Sequence, residues 1–311
     1  MPDLRWGLTI PFSGVPLSEH GDLLRRAEAA GYDDLWTAET AGHDGFTPLA
    51  LAAVHTTGMR LGTGVVNPFT RGPAVLAQHS AALADASGGR FVLGLGSSSN
   101  VIVERWNGVP FERPLGRVRA TVEALRPVLA GDRGPGGFKL EAPPQEPVPI
   151  VVAALRGKML ALAAEVGDGA FTNFLPLSGA SRVAEAFGAP DKELLCRFFC
   201  FPDREEDALP AARRMLVGYA TVPVYSAFFR WLGWSERIDP MVEAWEAGDR
   251  ARALELVPDD LVREVFVFGD GGAQRERLAA FGEAGITTFV LAPVCEPGRW
   301  AEVIDELRPA R

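Results

Sequence analysis

Short, β-rich apolar runs alternate with longer helical patterns almost from one end of the chain to the other, and that alternation leaves few folds open. The runs that read as strands cover residues 5–11, 33–38, 60–66, 90–95, 148–153, 169–174, 194–201 and 287–291. Helical patterns lie between them at 18–30, 48–57, 73–86, 115–130, 158–166, 178–187 and 207–220. In the first of these, Leu23, Leu24, Ala27 and Ala30 share one face, Ser18 is placed to cap the start, and Gly31 to stop the end. Several strands carry apolar residues at consecutive positions, as at Phe91, Val92 and Leu93, or Ile150, Val151 and Val152. That pattern belongs to strands covered on both faces, as in a parallel sheet. Eight strands joined by helical crossovers predict a single α/β TIM barrel, (β/α)8; an open doubly wound sheet is the competing arrangement.

Two segments exceed a bare barrel. Residues 131–149 are rich in Gly and Pro and predict an excursion before the fifth strand. Residues 221–267 carry Tyr225, Phe228, Phe229, Trp231, Trp234 and Trp245. They read as a helical insertion after the seventh strand–helix unit: a lid, a subunit contact, or a purely structural helical pair.

The chain has 311 residues, 47% of them hydrophobic, and a formal net charge of −9. That balance opposes nucleic acid or an anionic membrane as a partner, because the phosphate term would be repulsive, yet it allows a local basic pocket for one anion. The three cysteines, Cys196, Cys200 and Cys295, lack zinc-like spacing, so a reduced cytoplasmic protein with structural thiols and no metal is expected. The apolar run at 6–10 follows Met1 to Arg5 directly and is too short for a leader. Nothing approaches the ~18 consecutive apolar residues of a membrane helix.

Residues 94–99, Gly94-Leu95-Gly96-Ser97-Ser98-Ser99, resemble a dinucleotide fingerprint at first sight. Such a fingerprint needs a third glycine for helix–strand packing and belongs to the first βα turn. Here Ser99 occupies the third position and the stretch follows the fourth strand, so a Rossmann turn is rejected. An anion seat remains: Gly96 permits close backbone approach, while Ser97, Ser98 and Ser99 offer hydroxyls and amides where a helix is expected to begin. A serine-rich cap with no ligand is the alternative.

Several stretches taken together resemble the luciferase-like monooxygenase family of flavin and deazaflavin barrels. They are Leu35-Trp36-Thr37-Ala38-Glu39, Leu61-Gly62-Thr63-Gly64-Val65-Val66-Asn67-Pro68 with Arg71-Gly72-Pro73, residues 89–96, residues 106–111, Ala153-Ala154-Leu155-Arg156-Gly157-Lys158-Met159, and residues 167–170. The similarity runs from residue 5 to about residue 175 and returns weakly at 281–293.

The resemblance implies a barrel binding coenzyme F420, a 5-deazaflavin, or alternatively FMN, at the C-terminal ends of its strands. It is strongest toward the F420-dependent oxidoreductases. It implies a non-prolyl cis peptide at Gly64–Val65 behind the ring, with Asn67 nearby. It places Gly96, Ser97, Ser98 and Ser99 at the cofactor phosphate, and Ala154, Leu155, Arg156, Gly157 and Lys158 beside them. Unpaired basic residues at a helix start oppose the macrodipole, so Arg156 and Lys158 favour an anion there over plain solvation. The reaction implied is hydride transfer between the deazaflavin and a small organic substrate, with Glu39, His43 and Asp44 as candidates for proton work. Trp36, Phe69 and Trp106 are candidate substrate-pocket residues, although core packing would also explain them. F420-dependent sugar and alcohol dehydrogenases carry an acid–His pair at the end of the second strand, where this chain has Glu39 and Thr40. Reduction of an activated C=C or C=N bond is therefore expected over alcohol oxidation. An FMN-dependent monooxygenase with a partner reductase, and a cofactor-binding protein without turnover, are the alternatives. Members of the family are often homodimers.

Overall fold

The computed structural model describes residues 4–309, so Met1, from which the leader reading begins, lies outside the described residues. Eight parallel strands close into a barrel in the order β1 (Arg5–Ile10), β2 (Asp34–Thr37), β3 (Arg60–Thr63), β4 (Phe91–Leu95), β5 (Ile150–Ala153), β6 (Gly169–Asn173), β7 (Glu193–Phe201) and a last strand, Thr288–Pro293, which returns to β1. A two-residue strand, β8 (Val267–Phe268), adds to the C-terminal end of β7 at Cys200 and Phe201, which makes Thr288–Pro293 β9. The open doubly wound sheet is thereby excluded. All five residues of β4 and all six of β9 are buried, as the consecutive apolar positions require of strands with helices outside and side chains within.

The helices, in chain order, are α1 (His20–Ala29), α2 (Thr47–His55), α3 (Pro73–Ala86), α4 (Pro114–Leu129), α5 (Gly157–Val166), α6 (Ala180–Phe187), α7 (Glu205–Ala220), α8 (Pro223–Trp231), α9 (Ser235–Glu246), α10 (Arg250–Glu255), α11 (Asp259–Val265), α12 (Gly271–Glu283) and α13 (Trp300–Glu306). Gly31 ends α1 at φ +90°, a left-handed conformation that glycine adopts without steric cost. Ser18 lies instead in a 3-10 turn (Leu17–Glu19), and no side chain caps α1. The stretch 131–149 carries one 3-10 turn (Pro135–Gly137) and no other regular element.

Three apolar clusters divide the molecule. The largest lies between the barrel wall and its helices. A small one, Trp36, Val92, Val151, Phe171, Leu195 and Val290, fills the barrel interior. The third belongs to the excursion after β7, and here the structure departs from the sequence reading. Ala212, Leu216 and Ala220 of α7 pack with Phe229, Ile238, Met241 and Leu261 of α8, α9 and α11 in that third cluster. Leu278 and Phe281 of α12 join the main core instead. The excursion therefore begins with α7 rather than at residue 221, and α12 packs against the barrel in place of α7.

Candidate active site

Strand register sorts the interior into levels. Gly7, Asp34 and Arg60 lie side by side, as do Trp36 and Gly62, then Gly62 and Val92. On the far wall, Asn173 lies beside Arg197, and Arg197 beside Val290. The Trp36 indole is 1% exposed and occupies the space a side chain at Gly62 would need, its ring carbons 2.2–2.6 Å from an ideal Cβ there. It meets Phe171 edge to face, and the Arg60 guanidinium lies over it at 5.5 Å. Trp36 is thus part of the barrel's interior core and not the wall of a substrate pocket.

Above that core, the ends of β3, β4 and β5 converge. The Gly64–Val65 peptide is cis, the Gly64 amide donates to the Thr37 carbonyl at 2.7 Å, and Val65 packs against the interior cluster. An ideal Cβ on Gly96 would stand 2.6 Å from Val65 Cγ2 and 2.8 Å from Ala153 Cβ, so only glycine lets these three loops meet. Ala154 is buried directly beyond, and Leu155 is partly buried. The Asn67 side chain turns inward on its own loop. Its Oδ1 accepts the Phe69 and Thr70 amides at 3.1 and 3.0 Å and the Thr70 hydroxyl at 3.1 Å.

After β4 the chain does not enter an α-helix at once. A six-residue π-helical turn, Val101–Trp106, follows Ser99, and α4 begins only at Pro114. The macrodipole expected behind the serines is correspondingly small. Ser98 stands at φ +62°, and among the described residues the Ser97 and Ser98 hydroxyls have no hydrogen-bond partner. The Ser99 Oγ accepts the Ile102 amide at 3.4 Å. On the neighbouring loop, Arg156 precedes α5 in an extended conformation, Gly157 has φ +46°, and Arg156, Gly157 and Lys158 are exposed. Neither cation meets a carboxylate among the described residues, and the first turn of α5 holds no acid.

The three residues expected to move protons separate. Glu39 is engaged, with Oε1 accepting Arg71 Nη1 at 2.6 Å and Oε2 the Gly45 amide at 3.0 Å. Asp44 does not reach His43. Its Oδ1 takes the Phe46 and Thr47 amides at 2.8 and 2.9 Å, at the start of α2. Partial burial raises the Asp44 pKa, but the hydrogen bonds from Thr47 and Phe46 outweigh it and hold the carboxylate below its ordinary range. His43 is exposed on the same loop without a hydrogen bond. Phe69 is buried against Phe111, 5.0 Å between ring centroids, with the Arg117 guanidinium over its ring at 5.3 Å, while Trp106 is 55% exposed.

Sequence reading missed three residues around this mouth. Arg71 fixes Glu39. His79 lies tilted against Phe46 with ring centroids 4.4 Å apart, its Nδ1 buried and unpartnered among the described residues; burial and Arg71 lower its pKa, favouring the neutral ring. Arg197 interrupts the apolar run Leu194-Leu195-Cys196-Arg197-Phe198-Phe199 of β7, a visible signal that the period-two pattern would have aimed inward. Among the described residues no group of His, Cys, Asp or Glu is placed to hold a metal, and no helix is long and apolar enough to cross a membrane.

Comparison with known proteins decides the family, since the luciferase-like monooxygenase model matches residues 7–288. The chain belongs to the luciferase-like monooxygenase family. Within that family it is 29% identical to a Mycobacterium tuberculosis protein named as a coenzyme F420-dependent oxidoreductase, over 93% of this chain and 94% of that one. It is 27% identical to the 5,10-methylenetetrahydromethanopterin reductase of Methanolobus tindarius, over 91% and 93%. Among solved structures, the coenzyme F420-dependent tetrahydromethanopterin reductase of Methanopyrus kandleri superposes with a TM-score of 0.77 at 21% identity, covering 98% of both chains. An FMN complex of a Pseudomonas putida type II Baeyer–Villiger monooxygenase follows at 0.68 and 18%, covering 99% of both. In a luciferase-like barrel, the C-terminal mouth is where βα loops assemble the chemistry.

Proposed function

We propose that this luciferase-like protein is an F420-dependent oxidoreductase that exchanges hydride with a small organic substrate, by reduction of an activated C=C or C=N bond. The observation that carries the reading is the donor set on the β4 and β5 loops. The Ser97 and Ser98 hydroxyls and the Arg156 and Lys158 cations stand on adjacent loops with no side-chain acceptor among the described residues, in a chain of net charge −9. Such a set suits one phosphate, with Arg156 and Lys158 free for a further anionic tail. The relative named for coenzyme F420 supports the deazaflavin over FMN.

Bound F420 would supply the hydride chemistry at its ring. The protein's own part is positional. Val65, Gly96 and Ala153 form a close-packed floor where the three loops meet, and a floor without play holds a planar ring in one orientation. Glu39, fixed by Arg71, shapes the β2 loop and is not a free base. His43, on that loop without a partner, is the side chain available to hold or deliver a proton at an imidazole nitrogen. The same reading expects a cytoplasmic homodimer, on family resemblance. Separate titrations with F420 and FMN, followed by fluorescence, test it. Saturable binding of F420 about tenfold or more tighter than FMN is expected. Tight FMN binding without F420 binding would replace the reading with the FMN-dependent monooxygenase.

A further inference from the structure

Arg197 is a charge in an unusual position. It lies on β7 two residues beyond Leu195, a member of the interior cluster, so it points into the barrel on the wall opposite Gly64 and Gly96. Its Nε is fully buried without a partner, and no carboxylate pairs with its guanidinium among the described residues. The base of the same barrel solves the identical problem differently, pairing each inward arginine with an acid.

What surrounds Arg197 is a set of rings and further donors. Its guanidinium lies over Phe199 at 5.2 Å. Phe199 leads to Phe174 at 4.9 Å, and Phe174 stacks on Tyr219 at 4.1 Å, which brings α7 of the excursion onto the barrel mouth. Asn173, beside Arg197 in the sheet, donates its Nδ2 to the Tyr225 hydroxyl at 3.1 Å, and its Oδ1 accepts the Phe174 amide at 3.1 Å. The Tyr225 oxygen already accepts, so its own hydrogen is left to donate. Burial pushes the Tyr225 pKa up to about 12, against the pull of the Arg197 charge, so the phenol keeps that hydrogen at neutral pH. The cluster thus presents a guanidinium and a phenol hydrogen, holds no carboxylate among the described residues, and is walled by rings.

We propose that Arg197, assisted by Tyr225, binds a carboxylate carried by the substrate, whose apolar body rests on the partly exposed rings of Phe199 and Tyr219. A half-buried cation without a counter-ion has lost part of its hydration, and an anionic ligand compensates that loss on binding, so recognition is coupled to charge neutralisation. The anion on the β4 and β5 loops and this one occupy different walls of the mouth. The inference rests on the barrel mouth being the reaction site, as in the function proposed above.

Benzoate and benzamide are probes of equal shape that differ in charge. Calorimetric titration of the protein, alone and with F420, should show benzoate binding about tenfold tighter than benzamide. Arg197→Met should level the two, Arg197→Lys should restore part of the preference, and Tyr225→Phe should weaken benzoate a few-fold. Equal binding of the two probes by the unaltered protein overturns the proposal, and this arm needs no variant to fold. A preference that survives in Arg197→Met also overturns it. So does inorganic phosphate binding in place of benzoate, or a loss of F420 affinity in Arg197→Met with the benzoate preference intact. Failure of the unaltered protein to bind F420 while benzoate is still preferred would remove the F420 reading and leave this one standing.

Discussion

The two ends of the barrel interior are built from similar residue types and do opposite things. At the N-terminal end, Asp34 is wholly buried and accepts from Arg5 and from Arg60, the latter at 2.7 and 3.0 Å. Arg60 also donates to both Glu193 oxygens at 2.9 and 2.6 Å, and Thr288 donates to Glu193. Two cations and two anions cancel, and Asp34 and Glu193 keep the Arg60 charge in place by raising its pKa against burial. At the C-terminal end, among the described residues, Arg156, Lys158 and Arg197 have no acid, the Ser97 and Ser98 hydroxyls have no partner, and Thr9 Oγ1 is buried without one. Closed networks hold a fold, whereas unsatisfied donors of one sign await an anion.

The largest expected effect lies at the closed end. Asp34→Ala leaves Arg60 and Arg5 short of a counter-charge and should lower the unfolding free energy by about 3–5 kcal/mol. Urea denaturation measures it, and a loss below about 1 kcal/mol would mean that the network contributes little. At the open end, Ser97→Asp with Ser98→Asp should reverse the pattern. Two carboxylates beside a phosphate should weaken F420 binding at least tenfold, about 1.4 kcal/mol, yet shift unfolding by no more than ~0.5 kcal/mol. Asp tolerates the left-handed conformation at Ser98, so the backbone is not the variable. Unchanged F420 affinity in that variant would place the phosphate elsewhere.

The same contrast explains what the sequence could disclose. Strands were legible because burial on both faces leaves a contiguous apolar signature, as in β4 and β5, and eight of them with helical crossovers favour a closed barrel over an open sheet. α12 was not legible: it opens on Gly271 and Gly272 and carries Gln274, Arg275, Glu276 and Arg277 before Leu278, so little marks it as a helix packed against the barrel. α7 has an ordinary amphipathic pattern, and nothing local says whether its apolar face meets the barrel or other helices. The resemblance anticipated the cis peptide at Gly64–Val65 and pointed to the loops proposed for the site. Partner choice within those loops was beyond it. Adjacency suggested His43 with Asp44, but two backbone amides at the start of α2 donate to that carboxylate instead. Trp36 read as a pocket wall because an aromatic on an inward strand position looks the same at every level of a barrel; only Gly62 beside it sets its depth.

The smallest expected effect tests that pairing directly. Asp44 holds two amides at the start of α2, so Asp44→Ala should cost about 1 kcal/mol of stability at neutral pH. The folded pKa of Asp44 is lowered. Its contribution is therefore complete above the unfolded value near ~3.9 and is lost as pH falls through the folded value. The gap between the unaltered protein and Asp44→Ala should stay flat from about pH 5 to pH 8 and close below about pH 4. An Asp44–His43 ion pair would give another curve, with the gap shrinking as rising pH removes the imidazolium charge. Unfolding at three pH values separates the two. A gap that falls between pH 6 and pH 8 would restore Asp44 to the catalytic loop chemistry and leave α2 without its acidic cap.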